Sequence, residues 1–214
     1  MSNAAFPFSR VKTIGIVGCP VRALRITYVG ELGYELHVPV EYATTVYDAL
    51  MAAGSGFGLV NAGYRAIESC RLEKGYRAWG SDIGPDHTPI EAGLAWAVKT
   101  KKNIDFRGRK AIERQLSGGV KKMLACVVPD DPETVLLGRE TIYRNGKRVG
   151  WLSSGGFGYT IGKPIGYGYI RNPDGVTEDF MLSGTYELDV ARERIPCTVS
   201  LKPLYDPEMK RIKA

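Results

Sequence analysis

Hydrophobic and polar positions follow two different rhythms along this chain. Val11 to Val17 and Arg22 to Val29 are rich in β-branched residues and predict strands. Tyr34 to Val38 alternates, with Tyr34, Leu36 and Val38 on one face and Glu35 and His37 on the other. After Pro39 the period lengthens. Ala43, Val46, Tyr47 and Leu50 fall at helical spacing within Glu41 to Ala53, and Gly54 supplies a stop. A second helix is predicted from about Gly63 to Lys74, with Ile67, Cys70 and Leu72 inward and Gly75 as its C-terminal break.

From Val120 onward the pattern consists of short strand-like runs separated by Gly and Pro, without a convincing helix. That is the signature of a small antiparallel barrel or sandwich. Its clearest local signal is a hairpin: Glu140 to Tyr143 and Arg148 to Trp151 flank Asn145-Gly146, a pair suited to the positive φ angles of a type I′ turn. Further strands are expected near Pro164 to Ile170, Thr185 to Val190 and Ile195 to Leu201, and the glycine-rich stretch Ser153 to Gly158 reads as a barrel turn. The amphipathic stretch Arg107 to Leu116, closed by Gly118-Gly119, forms the junction. The residues alone therefore predict an α+β domain followed by a β-barrel.

Composition narrows the class. With 214 residues and 44% hydrophobic positions, the chain can bury roughly 70% of the surface its unfolded form exposes. It needs no disulfide or metal to hold a core. The apolar run Ile14 to Val21 is interrupted by Gly18 and Pro20 and is far shorter than the ~20 residues of a membrane span, and Met1 to Arg10 lacks the layout of a secretory signal. Cys19, Cys70, Cys126 and Cys197 lie too far apart for a zinc or dithiol motif and are read as buried free thiols; no metal is expected. The net charge of +6 is concentrated in residues 107–214, which hold 18 of the 29 basic and 13 of the 23 acidic side chains. No basic run is interleaved with aromatics, so nucleic acid is not the expected partner; a small anionic ligand fits the same charge.

Phosphate and nucleophile motifs fail on inspection. A P-loop ending at Gly162-Lys163 would need glycine where Phe157 stands and Ser or Thr where Pro164 stands. Gly54-Ser-Gly56-Phe-Gly58 follows a helix and lacks the strand-turn-helix setting of a dinucleotide site. There is no GxSxG, and His87 lies in a polar stretch that reads as an exposed loop. No catalytic residue is assigned. His37 shares its strand face with Glu35 and reads first as a half-buried strand residue.

Three blocks sharpen the picture. TYVGELGYELHVP (27–39), RLEKGYRAWGSD (71–82) and TPIEAGLAWAVK (88–99) resemble the folate-binding region of the aminomethyltransferase, or glycine cleavage T-protein, family. Their form is most similar to the C-terminal part of the FAD-linked dimethylglycine and sarcosine dehydrogenases. DFRGRKAI (105–112) resembles that family's link into its barrel, and SSGGFGYTIGKPIGYGYI (153–170) a barrel motif. The resemblance implies a partial aminomethyltransferase-like folate-binding domain over residues 5–106, a linker helix over 107–119 and a C-terminal β-barrel over 120–214. It also implies that tetrahydrofolate is the cofactor and that Glu35 holds its pterin ring. One carboxylate can accept an N–H and an exocyclic amine side by side, a charge-assisted pair contributing ~1.5–3 kcal/mol. Tyr28 matches an aromatic of the same block and lines the pocket or packs in the core. An arginine of the glycine-cleavage enzymes is replaced here by Ile67, with Arg65 two positions earlier; either Arg65 substitutes for it or the contact is absent. Arg71 and Glu73 read as a structural pair or as site residues, and Trp79 as core or as a stacking partner.

The resemblance further implies that the proton-handling aspartate and the flavin site lie upstream, so the chain, beginning at Met1-Ser2-Asn3-Ala4, is expected to be a region of a longer polypeptide whose flavin domain is its partner. FAD belongs to that upstream part. The expected compartment is a bacterial cytoplasm or a mitochondrial matrix. Two readings from other classes stand beside the folate one: a non-catalytic interaction module similar to the regulatory subunit of pyruvate dehydrogenase phosphatase, and a folate-linked RNA-modification factor supported only by net charge.

Overall fold

The computed structural model describes residues 2–213. The chain forms two compact units, Met1–Arg71 with Asp206–Ala214, and Leu72–Tyr205. Residues 72–106 therefore group with the barrel, and the division falls inside a helix.

In the first unit, strands β1 (Val11–Ile16), β2 (Cys19–Leu24) and β3 (Glu35–His37) form an antiparallel sheet in that order. β2 begins earlier and ends earlier than its β-branched composition predicts. The cause is a two-residue hairpin at Val17-Gly18, where φ is 45° and 81° and Ile16 faces Cys19. Both central residues of a tight type I′ turn need positive φ, which glycine adopts freely and valine only under strain. Residues 25–34 are consequently irregular. One sheet face is covered: Cys19, Val21 and Ala23 are buried, and Cys19 and Val21 cluster with Val46 of helix α1 (Ala43–Gly54). α1 leaves Tyr47 and Leu50 exposed. The other sheet face carries Thr13, Arg22, Glu35 and His37, all exposed. Helix α2 (Tyr64–Lys74) runs across the division between the units.

The second unit is a closed six-stranded antiparallel barrel preceded by a helix α3 (Arg109–Gly118). Its strands are β4 (Val120–Pro129), β5 (Thr141–Arg144), β6 (Lys147–Gly158), β7 (Lys163–Val176), β8 (Tyr186–Val190) and β9 (Glu193–Ser200), closing in the order β4-β7-β6-β5-β8-β9. The α+β class and the barrel agree with the sequence reading, as does the hairpin at Asn145 (φ 50°) and Gly146 (φ 74°). Two details differ. A short helix α4 (Glu178–Leu182) interrupts the strands, its end capped by the Thr177 hydroxyl, which accepts from the Phe180 N–H at 3.1 Å. And Ser153 to Gly158 is the continuation of β6, not a turn; the chain reverses at residues 159–162. Glycine is frequent there because strands approach too closely for side chains: a Cβ at Gly168 would stand 2.5 Å from the Trp151 carbonyl oxygen.

The barrel interior is filled by Ala125, Val127, Ile142, Leu152, Ile170 and Leu188. β4 and β7 are also covered on the outside, where Leu72 of α2 packs with Leu124, Cys126, Ile165, Tyr167 and Tyr169. That double burial explains why Met123 to Val128 of β4 is a continuous apolar run and not an alternation. Arg109, in the block likened to a family link, ties the junction: its guanidinium donates to the carbonyls of Lys102, Ile104 and Thr100 at 2.7–2.8 Å and pairs with Glu113.

Of the four free thiols, Cys19, Cys126 and Cys197 are buried as expected, whereas Cys70 is only half-buried. Burial pushes the Cys126 thiol up to about 12, and Cys197 likewise. Brief alkylation of the native protein is expected to label Cys70 and to spare Cys126 and Cys197 until denaturant is added; peptide mass mapping reads the order directly.

Candidate functional site

β3 is short because Pro39 ends it and the irregular 25–34 segment precedes it, yet its register is well determined. Glu35 lies opposite Leu24 and His37 opposite Arg22. Side chains on a strand alternate, so Glu35 and His37 emerge together on the uncovered face. Their side chains are 52% and 61% exposed, and Oε2 of Glu35 lies 3.8 Å from Nε2 of His37. His37 is thus exposed, not half-buried. A carboxylate held by a paired strand and facing open space can accept a forked pair of N–H donors, so the residues present fit a pterin.

Tyr28 lies in the irregular segment between β2 and β3, not on a strand, and is 38% exposed. Arg65 is exposed in the first turn of α2 and is not paired with Glu35, whose carboxylate lies 3.8 Å from the His37 ring nitrogen. Ile67 is half-buried on the same helix. Trp79, 74% exposed, is not core.

The remaining family-like blocks turn out to be stitching. Arg71 is fully buried and pairs with Glu68 one turn earlier. Glu73 faces the barrel, where its carboxylate accepts from the N–H groups of Thr160 and Ile161 at 2.6 and 3.1 Å, holding the β6–β7 reversal. Asp82 is fully buried: Oδ1 accepts from the hydroxyls of Ser153 (2.5 Å) and Ser154 (2.6 Å), and Oδ2 accepts from the Ala78 N–H at 3.0 Å. The Asp82 carbonyl accepts from the Tyr169 hydroxyl at 2.9 Å. Block 71–82 and block 153–170 therefore meet at one carboxylate. Thr88 and Glu91 cap each other reciprocally, the Thr88 N–H donating to Glu91 at 2.9 Å and the Glu91 N–H to the Thr88 hydroxyl at 3.2 Å. Sequence spacing signals this last contact; nothing local signals the role of Asp82.

His87 is likewise not the exposed loop residue expected. Its ring stacks on Tyr169 with centroids 4.5 Å apart and planes at 16°. Burial, reinforced by the Lys122 ammonium, holds its pKa below the usual 6.5. The folded chain therefore takes up a proton there less readily than the unfolded chain. Its contribution to stability is complete above about pH 6.5 and is lost as pH falls toward the lower folded value. Thermal melts between about pH 7.5 and 5.5 should show a fall in Tm that His87→Gln reduces; an identical fall in both proteins would remove His87 from the explanation.

Among the described residues no His, Cys, Asp and Glu side chains gather in a group able to hold a metal, and no helix is long and apolar enough to cross a membrane. The GCVT N-terminal domain matches residues 1–102, and the glycine cleavage T-protein C-terminal barrel domain matches residues 122–206. The chain belongs to the glycine cleavage T-protein family. Among curated relatives, the mitochondrial sarcosine dehydrogenase of Mus musculus is 47% identical over 215 residues, covering 100% of this chain and 23% of that protein. The mitochondrial pyruvate dehydrogenase phosphatase regulatory subunit of Mus musculus is 39% identical across 86% of this chain and 22% of its own length. The chain thus spans about a quarter of the length of these relatives. Among solved structures, the glycine cleavage system aminomethyltransferase T of Bartonella henselae aligns with a TM-score of 0.75 at 28% identity, over 87% of this chain and 50% of that one.

Proposed function

We propose that this chain is the tetrahydrofolate-binding C-terminal region of a dimethylglycine or sarcosine dehydrogenase-like oxidoreductase, where the one-carbon unit released by oxidation of an N-methylated glycine is captured as 5,10-methylenetetrahydrofolate. The observation that carries the reading is Glu35: an exposed carboxylate on a paired strand, on the uncovered sheet face, within the block most like the family's folate site. Likeness along the whole chain to a sarcosine dehydrogenase supports the choice of parent. When bound, tetrahydrofolate supplies the amines that accept the carbon. Glu35 orients it, Tyr28 offers an aromatic wall, and Arg65, on the helix that lacks an arginine at Ile67, is the available cation. Proximity of donor and acceptor then supplies much of the rate. The flavin is assigned to the upstream domain of the same polypeptide, and the mitochondrial relatives support a matrix location over a bacterial cytoplasm.

Anaerobic calorimetric titration with tetrahydrofolate tests this. Saturable binding near one equivalent is expected. Its absence here and in a longer polypeptide carrying the whole folate domain would favour the second reading, a regulatory interaction module, which the 39% identity to the phosphatase regulatory subunit supports.

A further inference from the structure

On the uncovered face of the first-unit sheet, Thr13, Arg22 and His37 stand directly opposite one another across the three strands. Residues in register on neighbouring strands share a face, so the three side chains form one polar row. With Pro20, Val38 and Pro39 they line a depression of about 340 Å³. The row offers a guanidinium fork, an imidazole and a hydroxyl, and no carboxylate lines it. Pro20 and Pro39 add apolar wall without a backbone donor. Glu35 sits one row along, about 7 Å away by strand rise, and reaches His37 at 3.8 Å.

We propose that this depression is a carboxylate-binding subsite beside the pterin position; it rests on the folate reading of Glu35 only for the identity of its neighbour. Arg22 supplies the planar pair of donors that a carboxylate accepts, and Thr13 and His37 complete the coordination from either side. Two sources present that chemistry: the glutamate tail of tetrahydrofolate, and a small amino acid of the class whose N-methyl group is the carbon donor. Filling the lone pairs of Glu35 with pterin donors frees His37 to serve the anion, so a small acid and the pterin should bind with positive coupling.

The chain has two histidines, so the ring signals of His37 are separable from those of His87 in an NMR titration. Acetate and glycine are expected to shift the His37 signals saturably in the millimolar range, and Arg22→Gln to abolish the shift. Glycinamide, lacking the carboxylate, should give no shift. If the glutamate tail is the occupant, tetrahydrofolate displaces acetate, and Arg22→Gln weakens tetrahydrofolate about tenfold but leaves 6-methyltetrahydropterin unchanged. If a small acid is the occupant, acetate and tetrahydrofolate bind together. No saturable acetate shift in the unsubstituted protein, or one that survives Arg22→Gln, overturns the proposal. Failure of the folate reading shows separately, as no tetrahydrofolate binding with the acetate shift intact. Arg22 is exposed, and circular dichroism confirms that its variant is folded.

Discussion

Asp82→Ala should lower the stability of the barrel unit by about 3 kcal/mol or more. The carboxylate is fully buried and accepts from two serine hydroxyls and one backbone N–H. Truncation leaves the buried Ser154 hydroxyl and the Ala78 N–H without that acceptor, at about 1–3 kcal/mol for each left unpaired, whereas the half-buried Ser153 hydroxyl keeps the Tyr167 carbonyl at 3.0 Å. A domain has roughly 5–15 kcal/mol in total, so the loss is a large fraction of it. Asp82→Asn should also be costly, because the amide nitrogen turns one acceptor into a donor facing donors. Ser153→Ala and Ser154→Ala remove single partners and should cost about 1 kcal/mol each. Urea titrations followed by near-ultraviolet circular dichroism measure all four. A change under 1 kcal/mol for Asp82→Ala would show that block 71–82 is held to the barrel by apolar packing, with Leu72 as its anchor.

The second large effect concerns ligand affinity. Glu35→Gln should weaken tetrahydrofolate about 10- to 100-fold with no change in the urea midpoint. The affinity loss follows from exchanging a charged acceptor of two hydrogen bonds for an amide that offers one acceptor and two donors. The unchanged stability follows from exposure: Glu35 is 52% exposed and its neighbour at 3.8 Å is the exposed His37 ring, a contact of little net worth at a surface. Glu35→Asp keeps the charge but retracts it by one methylene, and should retain part of the binding. Equal affinity in the Glu35→Gln variant would place the pterin elsewhere.

Local chemistry carried a great deal of this protein. The alternation at Tyr34 to Val38 is enough to place Glu35 and His37 on one face, because a strand has only two faces. Asn145-Gly146 announced its turn because few residues tolerate two successive positive φ angles. Helix α1 followed from its period and from Gly54. Other elements were hidden because their causes are distant in sequence. Val17-Gly18 is a hairpin only because Ile16 finds Cys19, so β-branched composition misplaced β2 and left Tyr28 on a strand where the chain is irregular. The Ser153 to Gly158 glycines look like a turn, and they are strand because neighbouring segments of the chain crowd them: a Cβ at Gly155 would lie 2.9 Å from Leu136.

Sequence by itself therefore determined the class, the barrel, the face on which Glu35 stands and the family likeness, all of which rest on periodicity, backbone stereochemistry and short motifs. Tertiary structure alone decided that Asp82, 71 residues before Ser153, is the buried acceptor joining two blocks, that Glu73 holds the β6–β7 reversal, and that His87 stacks on Tyr169. It alone brought Thr13, Arg22 and His37 into one row. Those arrangements depend on strand register and on which polar groups lose water together, and neither quantity is a property of any window of the chain.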